Sequence, residues 1–242
     1  MMLRIISILA ILLAWQALAI VTDPIYFVSL KQAIKALHEL FWLDGLVFDV
    51  WSSLKRILWA MMLVFVIAIP LGIVIGRSKL CKLLSEPITR FLRYVPAPTL
   101  IPLAVIWFGV GELAKVFIVF WGIFFPVLLG IRDSAESVPS SFIRVSKSMG
   151  YNFWQRFRKV VFPSIAPDIL NIMRVAFAEA WVYLILAEII AAPNGIGKTL
   201  ILAQRYLRVD KIFAVIILLA IIGLVSELCF YYARRKLFKY QV

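Results

Sequence analysis

Residues 57–75 run for 19 positions without a single charged side chain. At about 1.5 Å per residue, a helix of that length nearly crosses the ~30 Å hydrocarbon layer of a bilayer. A soluble globule could not cover it on every side. Predominantly apolar stretches of similar length, each with one to three charged residues, recur at 3–21, 89–108, 113–131, 169–191 and 212–232. The composition agrees. Hydrophobic residues make up 64% of the 242-residue chain and charged residues only 16%, with a mean hydropathy of +0.98. Soluble domains sit near about 45–50% and 25%. A disordered chain, a disulfide scaffold and a coiled coil are all excluded. The expectation is an all-α integral membrane protein with six transmembrane helices.

The first stretch carries Arg4 ahead of its apolar run and Ala17-Leu18-Ala19 behind it. It reads either as a retained first helix or as a cleavable signal peptide. Between the first two spans, residues 26–43 place Lys31, Lys35 and Glu39 among apolar residues at helical spacing, which predicts a surface amphipathic helix. The chain therefore divides into residues 1–52, a first helix with an amphipathic segment, and residues 53–242, a five-helix core.

The net charge of +13 comes from 26 Lys and Arg against 13 Asp and Glu. With six spans both termini share a side. That side carries 16 of the basic residues against nine on the other, Arg174 lying at the start of the fifth span. Basic loops remain cytoplasmic. Both termini are thus predicted inside, together with the longest polar segment, 132–168. The charge is accounted for by loops and gives no reason to invoke nucleic acid. A lone His38 and two distant cysteines, Cys81 and Cys229, offer no ligand cluster for a metal.

Within 132–168, Phe142, Val145 and Met149 recur at three and four residues, with Arg144, Lys147 and Ser148 on the opposite face. Ser140 or Ser141 is placed to cap this helix and Gly150 to stop it. A second amphipathic run, 153–162, is expected to end at Pro163. Two short helices hinged at a glycine form a docking surface; the alternative is a solvated loop with helical character.

Inside the membrane, ionisable residues mark cavities or paired contacts. Glu179 and Glu188 of the fifth span are candidates to face a pathway, Glu188 being equally an inter-helix hydrogen-bond partner. Pro96, Pro98 and Pro102 interrupt the third span, which suits either a pathway-lining helix or a kinked packing helix. Ala192-Pro193-Asn194-Gly195-Ile196-Gly197-Lys198-Thr199 satisfies a relaxed phosphate-loop pattern. No upstream strand feeds it, and its expected position is external. Its glycines are expected to turn the chain.

These residues resemble a known family. Permease subunits of bacterial ABC importers carry a cytoplasmic signature of Glu-Ala-Ala, three residues, Gly, nine residues and Ile-x-Leu-Pro. Gly150 and Val160-Val161-Phe162-Pro163 fit at that spacing, while Arg144-Val145-Ser146 stand where Glu-Ala-Ala is expected. Pro96, Leu100-Ile101-Pro102-Leu103, Trp107-Phe108-Gly109-Val110-Gly111 and Lys115 look like the nitrate, sulfonate and taurine branch. So do Gly72, Gly76, Arg174, Trp181, Glu188 and Gly195-Ile196-Gly197.

The resemblance implies a type I importer permease, itself no enzyme, moving a small anionic or sulfonate-like solute inward by alternating access. It implies a place in the cell inner (plasma) membrane, a second permease copy, self-pairing being the simplest form, and two ATP-binding subunits that hold the ATP and Mg. It also implies a periplasmic or lipid-anchored substrate-binding protein. Residues 140–149 would form the coupling helix seated in the ATPase. A membrane enzyme would need clustered His, paired carboxylates or a nucleophile with its base, and none is visible. A passive channel or secondary carrier fits the composition but leaves the helix–Gly–helix segment without a purpose.

Overall fold

The computed structural model describes residues 2–23 and 25–238. Among these the only regular secondary structure is helix, without a strand. The helices are α1 (Met2–Val21), α2 (Leu30–Trp42), α3 (Leu46–Arg77), α4 (Lys79–Leu92), α5 (Ile101–Phe108) and α6 (Glu112–Ser137). They continue with α7 (Ser140–Ser148), α8 (Phe153–Arg156), α9 (Phe162–Ala191), α10 (Ile196–Arg205) and α11 (Val209–Leu237). Four helical stretches are long and apolar enough to cross a membrane: Leu46–Arg77, Glu112–Ser137, Phe153–Ile190 and Val209–Leu237. The pair Lys79–Leu92 and Ala97–Phe108, bent by 78°, makes a fifth if it counts as one span. In α1 the apolar stretch Leu9–Val21 is shorter. Six spans were expected, the third interrupted by prolines; the structure splits that third segment into two bent helices and, among the described residues, leaves the first apolar stretch shorter than a crossing helix.

The chain forms two compact units. The first comprises residues up to Ser53 together with Glu188–Leu224, and the second Leu54–Ala187 with Val225–Val242.

In the first unit, Ser29 and Gln32 form a reciprocal capping box that starts α2. The amphipathic pattern foreseen for this segment then buries Ala33, Ala36 and Leu40. Trp15 of α1 packs against Phe27 and Phe213 with ring centroids 5.5 and 5.2 Å away, and its indole N–H donates to the Val28 carbonyl at 3.0 Å. Arg208 is held between Glu39 and Asp210 at 2.9 and 2.8 Å.

The second unit is organised by α3 and α6, which run parallel. Arg56 meets Glu112 near their first ends, at 2.5 and 2.7 Å. Gly72 lies against Leu128 and Ile131, and Gly76 against Arg132 and Ala135. The Arg77 guanidinium donates to the carbonyls of Ala135 and Val138, both at 3.2 Å. The offset between partners stays near constant along the whole contact. Parallel neighbours require the intervening chain to return the full distance. The bent pair makes that return. Ala97, Ile101 and Ala104 form a buried cluster with Ala114 and Ile118, so α5 climbs antiparallel to the first half of α6.

The three prolines do not interrupt a helix. Pro96 caps the 3₁₀ turn Ala97–Leu100, Pro98 lies in its first turn, and Pro102 lies in the first turn of α5. There a missing N–H removes nothing, because helix starts leave those donors unbonded anyway. The break itself falls at residues 93–96.

Candidate docking surface and solute pathway

At the end of α6 the chain turns at Val138-Pro139 into α7. The cap is Pro139, without a side-chain hydrogen bond, rather than Ser140 or Ser141. Ser140 Oγ instead accepts from Arg144 at 3.0 Å. The C-terminus matches expectation: Gly150 has φ +77°, its N–H donates to the Lys147 carbonyl at 2.9 Å, and the Tyr151 N–H donates to Ser146 at 3.0 Å. This is a Schellman closure, which glycine adopts without strain. Asn152 and Gln155 then form a capping box that starts α8.

Pro163 is not a stop. Residues Phe157–Val161 form a π-helical turn that feeds directly into α9, with the Phe162 N–H reaching back to Phe157. The wider turn lets the chain pass a residue that cannot donate, so helix continues through Ala191. The sequence pattern suggested an end because a proline that follows an amphipathic helical run would disrupt the interior of that helix.

The orientation of α7 is informative. Its inward residue is Ser146, 3% exposed, with Ile143 half-buried, and a cleft runs between Ile143, Lys147, Ile73, Arg77 and Phe157. Phe142, Val145 and Met149 face outward, 53%, 59% and 64% exposed. Ser141, Arg144, Lys147 and Ser148 are exposed as well. Phe153 and Trp154 of α8 extend the exposed apolar surface past the Gly150 turn. The capping roles of Ser140 and Ser141 and the Pro163 stop are thereby corrected.

The pathway candidates separate. Pro96 and Pro98 line a cavity of about 430 Å³ together with Trp121, Phe125 and Tyr183. Trp121 donates its indole N–H to the Val95 carbonyl at 3.4 Å, meeting an acceptor at the helix break. Glu179 is half-exposed one turn before Tyr183 on α9. Pro102 is exposed and away from that cavity lining. Arg174 forms an ion pair with Glu227 of α11, a partner that no local spacing indicates. Tyr183 was missed because an aromatic residue in an apolar helix carries no pattern that separates lining from packing.

Glu188 belongs elsewhere, in the first unit. It is 1% exposed, and its carboxylate accepts from Ser53 Oγ at 2.8 Å and from the Gly197 N–H at 2.9 Å. Asp49 accepts from the Gly195 N–H and from Thr199 Oγ1, both at 2.8 Å. The Ile196 N–H donates to Ser53 Oγ at 3.0 Å. The phosphate-loop look-alike therefore opens α10, and its N–H groups are committed to two carboxylates and a hydroxyl of the same chain. Negative groups suit a helix N-terminus. A phosphate would have to displace them. Lys198 opens onto an adjoining cavity of about 540 Å³, lined also by Asp44, Asp49, Thr199, Arg208 and Lys211.

The family described as binding-protein-dependent transport system inner membrane component matches residues 68–239. The chain belongs to this family. It is 34% identical over 186 residues to the taurine transport system permease protein of Escherichia coli K12, covering 77% of this chain and 68% of that one. It is 27% identical to the nitrate import permease protein of Synechocystis, covering 76% and 66%. Its fold resembles a chain of the MetNI methionine ABC transporter solved in inward-facing conformations, with a TM-score of 0.70, 21% identity, and coverage of 80% of this chain and 96% of that one. This permease is thus a membrane-embedded ABC importer subunit of type I architecture.

Proposed function

We propose that this permease works as one of two copies that pass a small anionic, sulfonate-like solute inward by alternating access. The observation that carries the reading is the outward apolar face of α7, Phe142, Val145 and Met149, at the end of a helix pair that is tied together along its length. Such an exposed face marks a contact with a protein or a membrane. We assign it to an ATP-binding subunit; a pair of these would hold ATP and Mg, and this chain neither. Closure of the pair would push α7, and with it α6 and α3, as one lever.

The excess of basic residues on the α7 side supports the orientation with both termini in the cytoplasm, in the plasma membrane. A substrate-binding protein would then deliver solute from the opposite face. The solute class follows the relatives, one named for taurine and one for nitrate. The cavity at the helix break, with Pro96, Pro98, Trp121 and Tyr183, is the part of the pathway this chain would contribute.

The test is co-purification of the chain with its ATPase, comparing wild type with Phe142→Asp and Met149→Asp. Both should insert normally and lose the ATPase. Retention by both variants would remove α7 from the contact. Reporter fusions after Ser137 should read as cytoplasmic and those after Gly45 as external; an external Ser137 would overturn the orientation and the docking with it.

A further inference from the structure

We propose that α4 (Lys79–Leu92) is an interfacial helix that lays its apolar side into the bilayer at the α7 end of the molecule and binds anionic lipid headgroups through its cations. Under the orientation proposed above this is the cytoplasmic leaflet; the lipid contact itself does not depend on transport.

The helix is amphipathic and inverted. Its polar side faces the protein: Lys82 pairs with Glu136 at 2.6 Å, Thr89 is 8% exposed, and Glu86 and Arg93 share a cleft with Leu129 and Arg132 of α6. Its apolar side faces away. Leu80, Leu83, Leu84, Ile88 and Phe91, which follow one another around a single face at helical spacing, are each 59–73% exposed. In water this arrangement is upside down.

The helix also lies across α6 rather than along it. Lys82 and Arg93 are separated by 11 residues, about 16 Å of helix, whereas their neighbours Glu136 and Leu129–Arg132 are separated by only four to seven, about 6–10 Å. A bend of 78° separates α4 from the segment that climbs along α6. The last turns of α6 carry Arg132, Asp133 and Glu136, a composition suited to the headgroup layer and not to hydrocarbon. The apolar stripe thus sits at the boundary between headgroups and acyl chains.

The charges select the occupant. Positions 79–93 carry four cations and one carboxylate, Glu86, which pairs with Arg90 at 2.8 Å, while Lys82 is taken by Glu136 of α6. Lys79 has no ion-pair partner among the described residues, and Arg93 hydrogen-bonds and stacks only on Tyr94. Cations at both ends of an apolar stripe complement an anionic lipid surface.

The experiment uses the full-length chain with Cys81→Ala and Cys229→Ala, reconstituted in nanodiscs with whatever partners it retains. Spin labels are placed by Leu80→Cys or by Phe91→Cys. Both labels should be more accessible to oxygen than to an aqueous nickel chelate, at depths that differ by less than about 10 Å. A difference near 16 Å would mean an upright half-span. Low accessibility to both reagents would mean that a second copy or another protein covers the stripe, and preferential nickel access would mean water; each of these results overturns the proposal. In mixed nanodiscs, phosphatidylglycerol should be enriched around the wild-type chain over phosphatidylcholine at least threefold more than around the combined Lys79→Gln, Arg90→Gln, Arg93→Gln variant. Equal enrichment would overturn the headgroup assignment.

Discussion

Ser53 Oγ donates to the Glu188 carboxylate at 2.8 Å and accepts from the Ile196 N–H at 3.0 Å. One buried hydroxyl thereby links α3, α9 and the start of α10. Glu188→Ala removes the acceptor for both Ser53 and the Gly197 N–H in a site without exposed surface. Each orphaned group costs about 1–3 kcal/mol, so a loss of ~2–6 kcal/mol is expected. Glu188→Gln keeps one acceptor oxygen and should lose less. Denaturation midpoints in detergent measure both; a wild-type midpoint for the alanine variant would refute the capping role.

Lys198 follows the glycines of the phosphate-loop look-alike, but the N–H groups there already bond Asp49, Ser53 and Glu188. Lys198→Ala should leave ATP hydrolysis by the assembled transporter within about twofold, since no phosphate cradle is present to lose. Loss of nucleotide binding on the scale of removing the ATPase would show the reading to be mistaken.

Gly76 is a test of the α3–α6 contact. A Cβ there would stand 2.4 Å from the Arg132 carbonyl oxygen and 3.0 Å from the Ala135 Cβ. Backbone cannot yield as a flexible side chain can. Gly76→Ala should destabilise by about 1–3 kcal/mol through overpacking. Gly223→Ala, with open space around the new methyl, should be neutral or stabilising by up to ~1 kcal/mol. Thermal unfolding of the two variants side by side decides it, and equal midpoints would argue against close packing at residue 76.

Gly150 holds φ +77° with open space where its Cβ would project. The barrier to substitution is therefore backbone conformation and not volume. Valine, β-branched, is strained there by about 1–3 kcal/mol. Gly150→Val should insert in the membrane at normal levels and fail to retain or respond to its ATPase, read by pull-down and by uptake in proteoliposomes. Normal results in both would detach α7 from coupling.

The membrane class, the spans at 57–75, 113–131 and 212–232, the amphipathic α2 and the Gly150 turn were legible in the sequence. Each depends on a period or on one residue's conformational preference, which neighbours along the chain suffice to express. The outward face of α7 was legible too, as Phe142, Val145 and Met149. Tertiary structure alone decided which groups meet across distance. Nothing local pairs Arg174 with Glu227, Lys82 with Glu136, or Asp49 and Ser53 with the start of α10. It also decided the third span, where prolines at 96, 98 and 102, expected to interrupt one helix, stand instead at the starts of two. The parallel run of α3 and α6 settles its course, because it obliges the chain between them to climb back along α6. Whether a buried carboxylate such as Glu188 lines a pathway or caps a helix depends on which donors the fold delivers to it, and those lie 135 residues away in the case of Ser53.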